Sequence, residues 1–280
     1  MDTTTRTTRT CTFTEDDLVH LEVKNHSGDI AVRYDAPPGT AEVTLSCARP
    51  VDFEPVTAVS QRGRVLVDVP ALVSPEGGGR GFSVSIGSFS LGTGHERVHV
   101  EVHLPEGTEL RASTRDGDVV LQGAGGAATV RTGSGDLSIE EVGVLRASTG
   151  SGDVRVGRLV AGSVTSGSGD VVVDSSTGPG PLEVRSGSGD IRVHDSHQDA
   201  TVATGSGDVD VAHAHGELAV RTGTGDVRVR VPRGIPTWLD LSSGLGEVRR
   251  DLEGTGEPAP GQDYLTVGVR TGTGDITVHH

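Results

Sequence analysis

The phrase Thr132-Gly133-Ser134-Gly135-Asp136, followed by Leu137-Ser138-Ile139, recurs through most of this chain and sharply limits what it can fold into. Counted by the acidic residue that closes each copy, the phrase ends at Asp118, Asp136, Asp153, Asp170, Asp190, Asp208, Asp226, Glu247 and Asp275. The first seven copies are 18, 17, 17, 20, 18 and 18 residues apart. So regular a period belongs to stacked repeats rather than to a globular domain.

Each copy has a physical reading. Apolar residues fall one and three positions after the Asp, as in Val154 and Val156 or Ile191 and Val193, and often six and eight positions before it, as in Leu182 and Val184. Period-two apolar placement makes two short strands facing one interior, and a Gly-x-Gly turn between them tolerates positive φ. A single coil buries too little to order itself. Stacking coils so that each strand bonds to its counterpart about 4.8 Å away removes that deficit. The expectation is therefore an all-β parallel β-solenoid, with two strands per coil of about 18 residues and irregular β caps at both ends. Aromatics are only 2% of the chain, which suits a thin interior filled by Val, Leu, Ile, Thr and Ala.

The chain divides along this pattern. Residues 1–12 are polar and Thr-rich and read as a disordered tail. Residues 13–110 hold irregular β candidates, among them Val65–Val69 and Val98–Leu104, with a loop or hairpin over Ser74–His95. Residues 111–231 carry the regular repeats. In residues 232–280 prolines such as Pro232, Pro236, Pro258 and Pro260 interrupt degenerate copies, and Trp238, the sole tryptophan, suggests a cap over the last rung.

Recurring Ser/Thr-Gly-Ser-Gly-Asp-Val/Ile-x-Val, the lead-in Val102-His103-Leu104-Pro105-Glu106-Gly107-Thr108, and the ending Val267 to Ile276 together resemble the bacterial putative-adhesin family of β-strand-repeat proteins, a domain of unknown function. The likeness spans roughly residues 15 to 278. It implies an adhesive role and brings no catalytic residues with it.

Charge and composition narrow the partners. With 24 basic and 39 acidic residues the formal charge is −15, which disfavours nucleic acid and anionic lipid. No apolar run is long enough to span a bilayer, and Met1–Thr10 has no apolar signal core, so the sequence predicts a cytoplasmic chain without membrane insertion. Cys11 and Cys47 are too few for a disulfide framework and read as reduced thiols.

The chemistry-bearing candidates are few. Stacked at rung spacing, Asp136, Asp153, Asp170, Asp190, Asp208 and Asp226 would repel one another by roughly 0.8 kcal/mol per pair in water. Ca²⁺ could compensate, since nonapeptide β-rolls bind it through turn aspartates. Alternatively each Asp accepts from N–H groups of its own turn while solvent or Arg screens the charge. Arg131, Arg185, Arg221 and Arg270 recur before the turn, on the outer face. His99, Glu101 and His103 share a strand face, and His197 and His215 could stack, yet neither set is a complete metal site. Asp208 and Asp210 have the spacing of a carboxylate pair, but residues 111–237 contain no aromatic sugar platform. No known catalytic motif appears in its required context. The reading is a non-enzymatic scaffold with no cofactor, binding an unknown protein partner or itself; a calcium β-roll or a filament-forming solenoid is the alternative. Function then falls to outward residues that vary between copies: Ser138, Arg155, Val172, Arg192, Asp210 and Arg228.

Overall fold

A computed structural model describes residues 6–15, 18–74, 84–86, 89–91, 95–252 and 264–280. Among them the chain is all-β, without helix, and 22 of its strands join one continuous sheet system.

The repeats stack in parallel and in register. Leu137 pairs with Val119 on one side and Val154 on the other, and Ala147 lies between Val130 and Val164. Each coil has a lead arm running into the Gly-x-Gly-Asp turn and a trail arm leaving it. Alternate residues of both arms, such as Leu145 and Ala147 before the turn and Val154 and Val156 after it, are almost fully buried in one apolar cluster. Nearly all of that cluster is Val, Leu, Ile and Ala; on the trail arm like-sized residues stack in register, while one lead-arm column alternates large with small, as Leu110, Ala128, Leu145, Gly162, Leu182 and Ala200.

Two strands per coil are resolved only in part of the stack. Val119–Ser134, Leu137–Ser151 and Val154–Ser168 are continuous strands that bend around the corner between the arms. Their corners have nearly equal length, so bonding continues around the bend from rung to rung. In the next coil Pro179 and Pro181 lie in the corner, and the arms separate into Val171–Ser176 and Leu182–Ser188.

Residues 6–12 are not a disordered tail. Arg6–Thr14 is a strand, antiparallel to Thr40–Val51. Its threonines are polar yet β-branched and suit a sheet edge; Phe13 packs on the core, and the Arg9 guanidinium donates to the Phe53 carbonyl at 2.7 Å. Residues 1–5 of the expected tail lie outside the described residues. Within the expected hairpin region Val84–Ile86 pairs antiparallel with Phe89–Leu91.

Both ends depart from sequence order. At the N-terminal end the lead arm Glu109–Asp116 stacks on His20–Asn25, which stacks on Arg64–Val69, and there the direction reverses into antiparallel Thr57–Gln61. On the other arm Ile30–Arg33 is followed by Val98–His103, then by antiparallel Thr40–Val51 and Arg6–Thr14. At the C-terminal end the last copy in sequence is not last in space. Leu265–Thr273 and Ile276–His279 insert between the regular stack and the degenerate rung Thr237–Leu245 plus Val248–Asp251. The intact copy offers Val267, Val269, Ile276 and Val278 inward and is covered on both sides, whereas the degenerate copy faces solvent. Trp238 is 68% exposed and covers no rung, contrary to the expectation of a cap; Pro258 and Pro260 lie outside the described residues.

Candidate functional site

Three columns run along the stack, and the first is the turn itself. The Thr or Ser that opens each phrase points inward, and its hydroxyl donates to a glycine carbonyl of the preceding rung: Thr132 to Gly117 at 3.0 Å, Thr149 to Gly135 at 3.0 Å, Ser166 to Gly152 at 3.0 Å. The second glycine has a positive φ, 151° at Gly135, and a Cβ there would sit 2.1 Å from the Gly117 carbonyl oxygen. Only glycine fits.

The six sequence-predicted aspartates are brought into one column. Asp136 Oδ1 accepts from the Asp153 N–H at 2.8 Å, Asp153 from Asp170 at 2.9 Å, Asp170 from Asp190 at 2.8 Å, Asp190 from Asp208 at 2.9 Å and Asp208 from Asp226 at 2.8 Å. The column extends from Asp29, through Asp118, to Asp226, Asp275 and Glu247. The donor is thus the next rung's N–H, not one in the same turn. Guanidinium partners are sparse: Arg192 reaches Asp190 at 3.0 Å and Asp170 at 3.9 Å, and Arg228 reaches Asp226 at 3.9 Å. Arg185 and Arg270 pair instead with Glu183 and Asp240 on their own outer face. Among the described residues no group of three or more His, Cys, Asp or Glu side chains is placed to hold a metal ion.

The second column is outward. Ser138, Arg155, Val172, Arg192, Asp210 and Arg228 align in consecutive rungs, so the residues that vary between copies form one continuous strip beside the acidic turns. Asp208 belongs to the turn column, while Asp210 lies in this strip between Arg192 and Arg228, so the two carboxylates have separate surroundings. Arg155 and His194 both contact Asp174, at 3.1 Å each.

The third column is interior and was missed in the sequence. One position reads Val142, Leu159, Ser176, Ser196 and His213 in successive rungs. His213 is 1% exposed, and among the described residues neither ring nitrogen is hydrogen-bonded; the Ser176 hydroxyl, two rungs away in the same column, and the Gln198 amide are buried and unpartnered too. Burial pushes the His213 pKa down, offset in part by the Gly216 backbone and Asp199 and reinforced by His215 and His197. The predicted pair His197 and His215 thus flanks this residue, and His197 itself binds Asp195 at 2.9 Å. The sequence carries no direct signal for it: His213 lies five residues after Asp208, whereas Val142 and Leu159 lie six after Asp136 and Asp153, and the register shift before Ser196 is what aligns them. Of the other predicted cluster, His103 binds Asp35 at 2.7 Å and lies 3.7 Å from Glu101, an ordinary surface network.

The Toastrack DUF4097 family profile matches residues 81–279. The chain belongs to the Toastrack DUF4097 family. No curated protein matches it. Among solved structures, a putative adhesin from Parabacteroides distasonis shares 11% identity at a TM-score of 0.50, with 96% of each chain covered, which places this Toastrack chain in the same fold. A putative adhesin from Bacteroides fragilis (11% identity, TM-score 0.47, 97% of this chain and 96% of that one) and a putative lipid binding protein from P. distasonis (14%, 0.47, 98% and 97%) are also similar. No helix of the described Toastrack residues is long and apolar enough to cross a membrane.

Proposed function

We propose that this chain is a non-enzymatic β-solenoid scaffold of the cytoplasm, binding a protein partner through the outward strip from Ser138 to Arg228. One observation carries the reading: the inward hydroxyl, the glycines and the Asp Oδ1 of the recurrent phrase are consumed in joining rung to rung, while the adjoining strip changes residue from rung to rung and carries three guanidinium groups and one carboxylate. Inward hydroxyl, glycines and Asp Oδ1 all have structural partners. Chemistry left for recognition therefore lies on guanidinium and carboxylate groups held at fixed rung spacing, a geometry suited to an extended acidic or mixed-charge segment of another protein. The adhesin names of structural neighbours point the same way only as a broad class. The test is capture from native cells with wild type and with Arg155→Glu, Arg192→Glu and Arg228→Glu combined. A partner retained by the wild type and lost by the variant, at unchanged melting temperature, supports the reading; equal capture by both removes it.

A second reading, calcium on the turn column, is favoured by the run of acidic side chains from Asp136 to Asp226. Ca²⁺ would have to use the Oδ2 atoms, since each Oδ1 accepts a backbone N–H. An EDTA-induced drop in melting temperature, reversed by Ca²⁺, is its signature.

A further inference from the structure

Outward residues of the lead arm form two adjacent columns. One reads Glu22, Arg111, Thr129 and Arg146 in successive rungs, and the other Lys24, Ser113, Arg131 and Ser148. Further along the stack the second column holds Arg185, Arg221 and Arg270, so four arginines occupy equivalent positions. Their neighbours in the first column differ. Arg185 is paired with Glu183, two residues before it, and Arg270 reaches Asp240 of the adjoining rung at 3.3 Å. Arg221 stands alone, with Ala219 in its own strand and Thr201 and Gly268 on either side. Arg131 has Thr129 where Arg185 has Glu183, and the adjoining rungs present Arg111 and Arg146 where Arg270 finds Asp240.

The result is a cluster of positive charge without its own counterions. Among the described residues Arg111, Arg131 and Arg146 form no ion pair or hydrogen bond. The two carboxylates on this part of the face are already engaged: Glu22 with Lys24 at 3.2 Å, and Glu109 with His20 at 3.6 Å. In a chain with 39 acidic and 24 basic residues, carboxylates are plentiful elsewhere and missing between these arginines. Arg111 and Arg131 lie on one diagonal of a square of four outward residues, and Ser113 and Thr129 on the other. Strands about 4.8 Å apart, and alternate residues about 6.7 Å apart along each strand, make that diagonal roughly 8 Å. Two long side chains thus stand over a floor of two short hydroxyl residues. A hollow of about 270 Å³ lies among them, with Glu22 and Lys24 at its rim.

This arrangement selects a ligand by shape as well as charge. A planar carboxylate places both of its oxygens on a single guanidinium fork. A tetrahedral group has three free oxygens, enough to give an edge to each of two forks and to accept from a hydroxyl beneath, and its double charge matches two guanidinium groups. The net charge of −15 does not oppose this, because charges farther away than a Debye length of about 8 Å are largely screened at physiological salt. We infer that the Arg111–Arg131 diagonal is a binding site for a phosphoryl or sulfuryl group, held between the two guanidinium groups over Ser113 and Thr129. The site is on the lead arm and the strip from Ser138 to Arg228 is on the trail arm, so neither depends on the other.

The test is titration of the whole chain with inorganic phosphate, phenyl phosphate, sulfate, acetate and chloride at matched ionic strength, followed by NMR of the arginine Nε–Hε groups. Phosphate, phenyl phosphate and sulfate should give saturable shifts at Arg111 and Arg131 and none at Arg221, while acetate and chloride should bind at least roughly tenfold more weakly. Phenyl phosphate binding more tightly than phosphate assigns the group to an ester, and equal or weaker binding assigns it to the free ion; both uphold the site. Arg111→Gln combined with Arg131→Gln should weaken phosphate binding by roughly tenfold or more at unchanged melting temperature, since both side chains are exposed. Thr129→Glu supplies Arg131 with the carboxylate that Glu183 gives Arg185, and should weaken binding comparably with every arginine retained. Equal shifts at Arg221, acetate binding as tightly as phosphate, or undiminished phosphate binding in either variant would overturn the inference. Partner capture through Arg155, Arg192 and Arg228 is unaffected by each of these outcomes, so the scaffold reading stands or falls separately.

Discussion

Replacing Asp153 separates the two roles that its carboxylate combines. Its Oδ1 accepts the Asp170 N–H at 2.9 Å, while its charge sits one rung from Asp136 and one rung from Asp170. At a rung spacing of about 4.8 Å each neighbour repels it by roughly 0.9 kcal/mol in water. With a Debye length of about 8 Å at physiological salt, that falls to roughly 0.5 kcal/mol, or about 1 kcal/mol for both neighbours. Asp153→Asn keeps an oxygen acceptor and removes the repulsion, a gain of about 1 kcal/mol offset in part by exchanging a charge-assisted hydrogen bond for a weaker neutral one, so it should lie within about 0.5 kcal/mol of wild type and gain stability at low salt. Asp153→Ala loses the acceptor and should be about 1 kcal/mol less stable than the asparagine variant. Urea unfolding of all three proteins at low and high salt measures both terms. Salt should erase the advantage of asparagine over aspartate and leave the gap between asparagine and alanine. If alanine and asparagine are equally stable at every salt concentration, the inter-rung hydrogen bond contributes nothing and the column has another purpose.

Gly135→Ala should be among the most damaging single-methyl additions in the chain, about 3 kcal/mol or more, because φ is 151° and the new Cβ would meet the Gly117 carbonyl oxygen at 2.1 Å; Gly107→Ala, at φ 75° with open space around it, should cost only about 1–2 kcal/mol in the same thermal melt. His213 is buried and its pKa is lowered, so its neutral form is the one that folds. Its contribution is therefore intact above the unfolded-state value of about 6.5 and is lost as pH falls through that value toward the folded one; His213→Leu, which restores the residue type of Leu159 in that column, should flatten the decline between neutral and mildly acidic denaturation curves. EDTA should leave the melting temperature unchanged, and a drop that Ca²⁺ reverses would revive the calcium reading of the turn aspartates.

Much of the architecture was legible because the repeat repeats its reasons. Apolar residues flanking Gly-x-Gly-Asp at fixed distances report burial on two arms, and six near-equal spacings leave parallel stacking as the way to satisfy them. The destination of the Asp hydrogen bond was half legible. A carboxylate after a glycine turn reads as a local acceptor, and no single copy says that the nearest N–H belongs to the next rung. Arg6–Thr14 was missed for a related reason: the run lacks apolar alternation, and its pairing with Thr40–Val51 is decided by a sheet edge formed elsewhere. His213 was hidden by a corner whose length varies between copies, so its equivalence to Leu159 appears only through register.

The order of rungs at the two ends was beyond sequence reasoning, and energetics explain it. A copy flanked on both sides must satisfy two neighbours; a terminal copy satisfies one. The final copy keeps the full phrase, with the Thr271 hydroxyl on the Gly225 carbonyl and the Asp275 N–H on Asp226, and so can occupy an interior position. The copy around Leu245 ends in Glu247 where its neighbours have Asp and carries Arg250 in an inward column, defects that cost little only where that face meets solvent. The chain therefore reaches past one rung, lays down the defective copy, and returns to fill the gap with the intact one. Degeneracy of the motif is then positional information: it marks the rung with nothing stacked beyond it, and Arg250 keeps one side of that rung closed to further growth.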